Sequence, residues 1–383
     1  MYDAPPETAR TVLIFRKRLL PWSETFVAAQ GRALRRWHPV FVGYHTESGG
    51  AHYLDGCDRV VLDRHGVLPG VGKAWLKFAG RLPTSFRTAL ERKRPSLLHA
   101  HFGTSIRPAG VISRALGLPL LVTFHGHDIA TVPRDEEGAA VRARALQSID
   151  QAIAVSEFIA TRLRESGCPP DRIIVHRIGV DTDRFSPGSE ARAPGRVLFV
   201  GRLVPKKGLA HLLRAFQSVQ QTVPSAELLI VGDGPLRAEL EQLATDLRVH
   251  ARFTGVQTPD EVLQHMRSAD MLAAPSIVTE RGDAEGLPIT IMEALATGLP
   301  VVAFPSGGSG EGVVDGVTGR LLPAGDEGAL GAAITGLLLD EHARSRMAVA
   351  ARALALEEFS LEKQTRRLED IYDRVVREFA ERR

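Results

Sequence analysis

The chain has 383 residues, a length that suits two or three domains, and its 44% apolar and 24% charged content is ordinary for a soluble globular protein. Cys57 and Cys168 are far apart and in no metal-type spacing, so reduced thiols are expected. Net charge is +3 but unevenly divided: residues 1–185 hold 26 Lys plus Arg against 18 Asp plus Glu, net +8, which leaves 22 against 27, net −5, for the remainder.

In chain order, strand-like apolar runs fall at residues 11–15, 40–42, 60–62, 97–99, 120–124, 152–155 and 173–176, with helical stretches between them. That alternation predicts an α/β unit with a parallel sheet, spanning residues 1–190. Residues 186–195 are rich in Pro, Gly and Ser and read as a linker. A second Rossmann-like unit is expected over 196–358, with strands near Val197, Leu228, Ala251, Met271, Pro300 and Gly319. A last helix runs from residue 361 toward the end of the chain and belongs with the first unit, giving 1–190 plus 361–383. Residues 64–107 contain nine basic residues and one acid, Glu91. Trp75, Phe78, Leu82 and Phe86 interleave with Lys73, Lys77, Arg81 and Arg87, a pattern that suits either an anionic membrane surface or a helix with its apolar stripe in the core. No nucleic-acid motif accompanies the charge.

The most informative segment is 285–293, Glu-Gly-Leu-Pro-Ile-Thr-Ile-Met-Glu. Pro288 is tolerated only near a helix start, so a helix is predicted to open between Leu287 and Ile289. Glu285 then lies just outside its N-terminus and Glu293 within it. Free amides from Gly286 through Ile289 favour an anion. Carboxylates there suit hydroxyl-rich partners, whereas the plain alternative is a helix with two solvated acids. Two further strand-to-helix turns carry Arg202 with Lys207, and Gly232 with Gly234. In a doubly wound sheet both fall outside the carboxyl ends of the strands, where cations face phosphate. Surface charge and a tight turn are the alternatives; Gly232-Asp-Gly234 is no dinucleotide fingerprint, because Arg237 stands at the third glycine position.

His99, His101, His125 and His127 each follow an apolar strand, and residues two apart on a strand face the same way. A metal-dependent hydrolase using this cluster is therefore an alternative function, and a non-catalytic nucleotide-sugar-binding protein is a third. Asp181 and Asp183 are read as turn formers rather than a metal bridge.

Taken together, His99-Ala-His101-Phe102, Thr123-Phe-His125-Gly-His127-Asp128, Gly201-Arg202 with Lys207-Gly208, Val231-Gly-Asp-Gly-Pro235, Phe253-Thr-Gly255 and the nine residues from Glu285 resemble the retaining glycosyltransferases of family four. Ser23-Glu-Thr-Phe26 resembles the branch that builds exopolysaccharides such as colanic acid. The resemblance covers almost the whole chain and implies the GT-B fold, with two Rossmann-like domains facing a cleft and a C-terminal helix crossing back. It implies transfer of a hexose from a UDP- or GDP-sugar to a hydroxyl acceptor, with retention and without a metal or other cofactor. Arg202 and Lys207 would stabilise the diphosphate, Glu285 and His125 would sit by the sugar, and Glu293 would bind the ribose. Gly232, Gly234, Gly255, Val256, Gly286, Leu287 and Pro288 would complete the donor site. Ser23, Glu24, Thr25, His101 and Asp128 are expected on the acceptor side, the acceptor being a saccharide, a lipid-linked sugar or a small molecule. The first loop departs from the family's Gly-Gly turn and reads Arg16-Lys-Arg-Leu-Leu-Pro-Trp-Ser-Glu-Thr25. With no bilayer-length apolar stretch and no secretory-type segment in residues 1–10, a cytoplasmic location is expected, peripheral on the inner face of the membrane if the basic stretch touches lipid.

Overall fold

The computed structural model describes residues 9–19, 24–46, 51–64, 80–131, 133, 135–189 and 192–383. It divides into two units, one formed by Met1–Ile178 with Leu361–Arg383 and the other by Gly179–Ser360. The first carries β1 (Arg10–Phe15), β2 (Arg18–Leu19), β3 (Trp37–Gly43), β4 (His45–Thr46), β5 (Asp58–Val61), β6 (Pro95–His101), β7 (Leu120–Phe124), β8 (Gln151–Ala154) and β9 (Ile173–Val175). Seven of these form one sheet in the order β5-β3-β1-β6-β7-β8-β9, while β2 and β4 pair separately. All its neighbours run parallel. Strands such as Leu120–Phe124 are buried at every residue, as a parallel sheet covered on both faces requires.

The helix Leu361–Glu381 lies against this sheet. Leu368, Ile371, Tyr372 and Val375, one helical stripe, pack with Val12, Leu97, Leu121 and Trp37. Each such side chain contributes about 1.5–3 kcal/mol on full burial. Glu369, 1% exposed, fixes the helix by accepting the backbone N–H groups of Arg35 and Arg36 at 2.7 and 2.6 Å.

The second unit carries β10 (Arg196–Val200), β11 (Glu227–Val231), β12 (Ala251–Gly255), β13 (Met271–Ala274), β14 (Val301–Ala303) and β15 (Gly319–Leu321). Their order is β12-β11-β10-β13-β14-β15, all parallel. Both units therefore wind outward from a first strand and then restart on its other side, the doubly wound arrangement.

The unit boundary corrects the sequence expectation. The division falls at Ile178/Gly179, and the segment read as a linker is part of the second unit. Gly195 N–H donates to Asp270 Oδ2 at 2.7 Å, the Arg192 guanidinium to the Ala269 and Gly298 carbonyls, and Arg267 to the Ser186 carbonyl. Composition suggested a loose connection, but long-range hydrogen bonds hold it.

The basic stretch is only partly described, because residues 65–79, including Lys73, Trp75, Lys77 and Phe78, lie outside the described residues. In the helix Thr84–Glu91, Phe86 and Leu90 are fully buried and Arg87 pairs with Glu91 at 2.8 Å. That part of the apolar stripe faces the core. Among the described residues no helix is long and apolar enough to cross a membrane.

Candidate active site

In the second unit the strand order reverses between β10 and β13, so a crevice opens at the carboxyl ends of those two strands. The loop after β10 supplies Arg202 and Lys207; the loop after β13 supplies residues 275–288. Backbone contacts bind the neighbouring loops together. Gly201 N–H donates to the Val231 carbonyl, Leu203 N–H to Asp233, Gly232 N–H to Gly255 and Ile277 N–H to Lys206, at 2.8–3.0 Å. Glycine is required where they cross: at Gly232, φ 132°, an added Cβ would lie 2.0 Å from the Gly201 carbonyl oxygen, and at Gly208, φ 66°, 1.8 Å from that of Pro275. Gly234 is equally confined, 2.5 Å from the Leu203 oxygen.

This stitching brings Lys207 to Glu285, Nζ to Oε1 3.1 Å, with only 18% and 10% of the two side chains exposed. Lys206 pairs with Asp283 at 3.2 Å. Arg202 is exposed, and its guanidinium makes no hydrogen bond or ion pair among the described residues. Gly286, Leu287 and Pro288 are buried, and the helix opens at Ile289, with Pro288 as N-cap and no side-chain cap. By contrast, the helix Pro259–Ser268 has a reciprocal Thr258–Glu261 capping box. The uncapped end leaves amides for an anion. Glu293 lies in the same helix, its carboxyl pushed up to about 8 by burial, with the Arg184 charge opposing. Gly255 ends β12 with φ 75°, and Val256 beyond it is 70% exposed.

The glycine-rich segment Gly307–Gly312 follows β14. Gly308 N–H donates to the Glu285 carbonyl at 2.9 Å, and a Cβ on Gly307 would lie 2.2 Å from that oxygen. The loop therefore holds Glu285 from behind. Beside it, Ser306 Oγ and Ser309 Oγ are buried without a hydrogen-bond partner among the described residues.

The first unit has its own reversal, between β1 and β6. Arg16 follows β1 and Phe102 follows β6; the guanidinium lies 4.1 Å above the ring centroid. Arg16 also grips Glu24 with both arms, each at 2.6 Å, so this carboxylate is already engaged. Thr25 begins the helix Thr25–Arg32, whose N-cap is Glu24, and Ser23 lies outside the described residues.

The histidines sort into separate jobs. His99 is fully buried between Tyr372 Oη, 2.6 Å from Nδ1, and Thr123 Oγ1, 2.7 Å from Nε2. His101 Nδ1 meets His125 Nε2 at 3.0 Å with the rings nearly parallel. Burial holds all three neutral, His99 and His125 well below the usual histidine value and His101 down to about 3, with the Arg16 charge adding to the effect on the pair. His127 is exposed. The four therefore do not converge on a metal: both nitrogens of His99 are occupied, and His101 and His125 bond each other. Among the described residues no group of three His, Cys, Asp or Glu side chains is placed to hold one. The hydrolase alternative loses its ligand set.

Asp128 holds the adjoining turn in place. Its carboxylate accepts the backbone N–H groups of Gly103, Gly126 and His125 at 2.7, 2.9 and 3.1 Å, fixing the turn that presents His125. Phe102 has φ 69°, an unusual conformation for a bulky residue, and it packs on the His125 ring at a centroid distance of 4.5 Å. His101 Nε2, Ser105 Oγ and His125 Nδ1 are buried without a hydrogen-bond partner among the described residues.

Tyr372→Phe should lower the unfolding free energy by about 1–3 kcal/mol, because it leaves a buried imidazole nitrogen unsatisfied. Urea unfolding of the two proteins checks this, and equal midpoints would refute the role.

Two family profiles match the chain: "Glycosyltransferase Family 4" over residues 23–184 and "Glycosyl transferases group 1" over residues 181–354. The GDP-mannose-dependent alpha-(1-6)-phosphatidylinositol monomannoside mannosyltransferase of Mycolicibacterium smegmatis is 35% identical over 276 residues, covering 68% of this chain and 72% of that protein. The amylovoran biosynthesis glycosyltransferase AmsK of Erwinia amylovora is 32% identical, covering 67% of this chain and 64% of its own length. The colanic acid biosynthesis glycosyltransferase WcaL of Salmonella typhimurium, itself described as putative, is 34% identical, covering 61% and 59%. Among solved structures, HepE of Anabaena in complex with UDP-glucose aligns with TM-score 0.75 at 20% identity, covering 95% of this chain and 99% of its own. The sucrose-phosphate synthase of Thermosynechococcus elongatus aligns with TM-score 0.76 at 21% identity, covering 96% and 99%. At these identities the structural likeness speaks to the fold.

Proposed function

Since the chain belongs to glycosyltransferase family 4 and has the GT-B fold, we propose that it is a metal-independent, retaining hexosyltransferase that uses a nucleoside-diphosphate sugar. The observation that carries this reading is the Lys207–Glu285 pair beside exposed Arg202 and an uncapped helix start. A diphosphate would find two cations and free amides there, and a sugar would find a carboxylate.

In the proposed reaction the acceptor hydroxyl oxygen bonds to the anomeric carbon as the bond from that carbon to the β-phosphate oxygen breaks. The electron pair of that bond goes to the phosphate, whose oxygen takes the acceptor proton. Arg202 and Lys207 lower the barrier by meeting charge that grows only as the leaving group departs. Glu293 is assigned to the ribose diol, Gly232, Gly234, Gly255 and Val256 to the nucleotide side, and Glu285 with His125 to the transferred hexose. A neutral His125 suits a hydrogen-bonding role toward sugar hydroxyls better than an acid role, given the direction of its pKa. Glu24, Thr25, His101 and Asp128 remain assigned to the acceptor side, with Glu24 and Asp128 acting through Arg16 and the backbone amides they hold.

Candidate acceptors are saccharides or lipid-linked sugars, in keeping with what the named relatives build. Thermal shift against guanosine, uridine and adenosine diphosphate sugars tests the donor, GDP-mannose first because the 35%-identical relative uses it. One sugar nucleotide should stabilise the protein more than the others and give product with retained anomeric configuration. Stabilisation by none, or an inverted product, would overturn the reading.

A further inference from the structure

Away from both switch points, the first unit holds a cavity of about 490 Å³ between β9 and the helix Leu361–Glu381. Its lining includes Ile174 and Ile371 together with Arg177, Arg367, Arg374 and Arg377. Among the described residues the lining has one carboxylate, Asp370, and it is already engaged, its Oδ1 2.6 Å from Arg36.

The way charge is arranged on the helix is informative. Asp370 and Asp373 each precede an arginine by four residues, Arg374 and Arg377, the spacing and order that favour an intrahelical ion pair. Neither pair forms. Asp370 goes to Arg36, and Asp373 to Arg10 and Arg36 at 3.5 and 3.3 Å. Elsewhere on the same helix Glu362 and Arg366 do pair across four residues, so the helix itself does not forbid it. The acids thus turn to the β1–β3 side. Arg367, Arg374 and Arg377, spaced seven and three apart on one helix face, are left without a carboxylate partner among the described residues.

Three guanidinium groups along one hollow, none with a carboxylate partner among the described residues, repel each other unless an anion joins them. We propose that this cavity is a second anion site, for a ligand whose phosphate group is forked by the arginines and whose less polar part rests on Ile174 and Ile371. Guanidinium pairs bind phosphate oxygens bidentately, and the volume exceeds a bare phosphate, leaving room for the group that carries it. The site stands apart from the transferase reading and does not depend on it.

The probe is inorganic pyrophosphate, titrated calorimetrically into Arg202→Ala/Lys207→Ala protein so that the diphosphate site of the second unit is disabled. Saturable binding is expected, weakened at least tenfold by adding Arg367→Ala, Arg374→Ala and Arg377→Ala; these side chains are exposed or half-buried, so folding should survive. The corresponding triple lysine variant keeps the charge but not the fork, and should bind with intermediate strength. Sedimentation with phosphatidylglycerol and phosphatidylcholine vesicles identifies the source. Capture by the anionic vesicles alone, competed by pyrophosphate and lost in the triple alanine variant, assigns a lipid headgroup. Pyrophosphate binding without vesicle capture assigns a soluble phosphorylated ligand. Absence of both kinds of binding, or binding that the triple alanine variant leaves unchanged, overturns the proposal.

Discussion

Replacing Lys207 by alanine should lower kcat roughly 100- to 1000-fold, the usual loss when one preorganised donor to a developing anion is removed. Affinity for the bare nucleoside diphosphate should fall much less. Glu285→Gln should act in an opposite pair of directions, with turnover falling while the nucleoside diphosphate, offered without its sugar, binds several-fold tighter. The reason is competition for one ammonium. In the structure Lys207 is paired with Glu285 at 3.1 Å, with little of either side chain exposed. An incoming diphosphate must share or displace that carboxylate, and removing its charge relieves the contest. A sugar-bearing donor differs because its hydroxyls give Glu285 new hydrogen-bond donors once Lys207 turns to phosphate. Calorimetry with nucleoside diphosphate on parent and Glu285→Gln protein, beside steady-state rates, reads both effects. Unchanged or weaker nucleotide binding in Glu285→Gln would remove Glu285 from the contest. Full activity in Lys207→Ala would remove the phosphate role itself.

This pairing also marks the limit of what sequence could convey. Glu285 and Lys207 were each legible from local signals, a proline-started helix and a glycine-ended strand. Their contact was not, because 78 residues separate them and it depends on Gly208 passing the Pro275 carbonyl. The central strands of the two main sheets were visible because strands buried on both faces leave unbroken apolar runs. The two-residue pair of β2 and β4 was invisible, since two residues show no period. Asp128 looked like a ligand-facing acid because no sequence rule separates a carboxylate that meets solvent from one that caps three amides. The histidine run invited a metal for the same reason: strand alternation does put His99 and His101 on one side, their ring centroids 4.3 Å apart, but Tyr372, 273 residues beyond His99, claims the first of them. Residues 186–195 had the composition of a linker, and only Asp270 and the partners of Arg192 reveal that they are fastened.

Glu293→Gln should make the protein more stable at pH 8.5 and nearly unchanged at pH 4, while weakening nucleotide binding by about 1–3 kcal/mol. Burial raises the Glu293 carboxyl from 4.5 to about 8 in the folded protein. Between those values the native state holds a proton that the unfolded state has released, so unfolding free energy falls as pH rises across the interval. The stabilising contribution is complete below about 4.5 and lost as pH climbs through about 8. Glutamine keeps the neutral shape and removes this slope. Nucleotide binding has the opposite sign if Glu293 grips a ribose diol, because vicinal hydroxyls donate to a carboxylate and favour the ionised form. Binding near pH 7 should then release a proton, and the measured calorimetric heat should vary with the ionisation enthalpy of the buffer. In Glu293→Gln that variation should vanish together with the lost affinity. Equal proton release by both proteins would place the linked group elsewhere, and equal affinity would take the ribose contact away from Glu293.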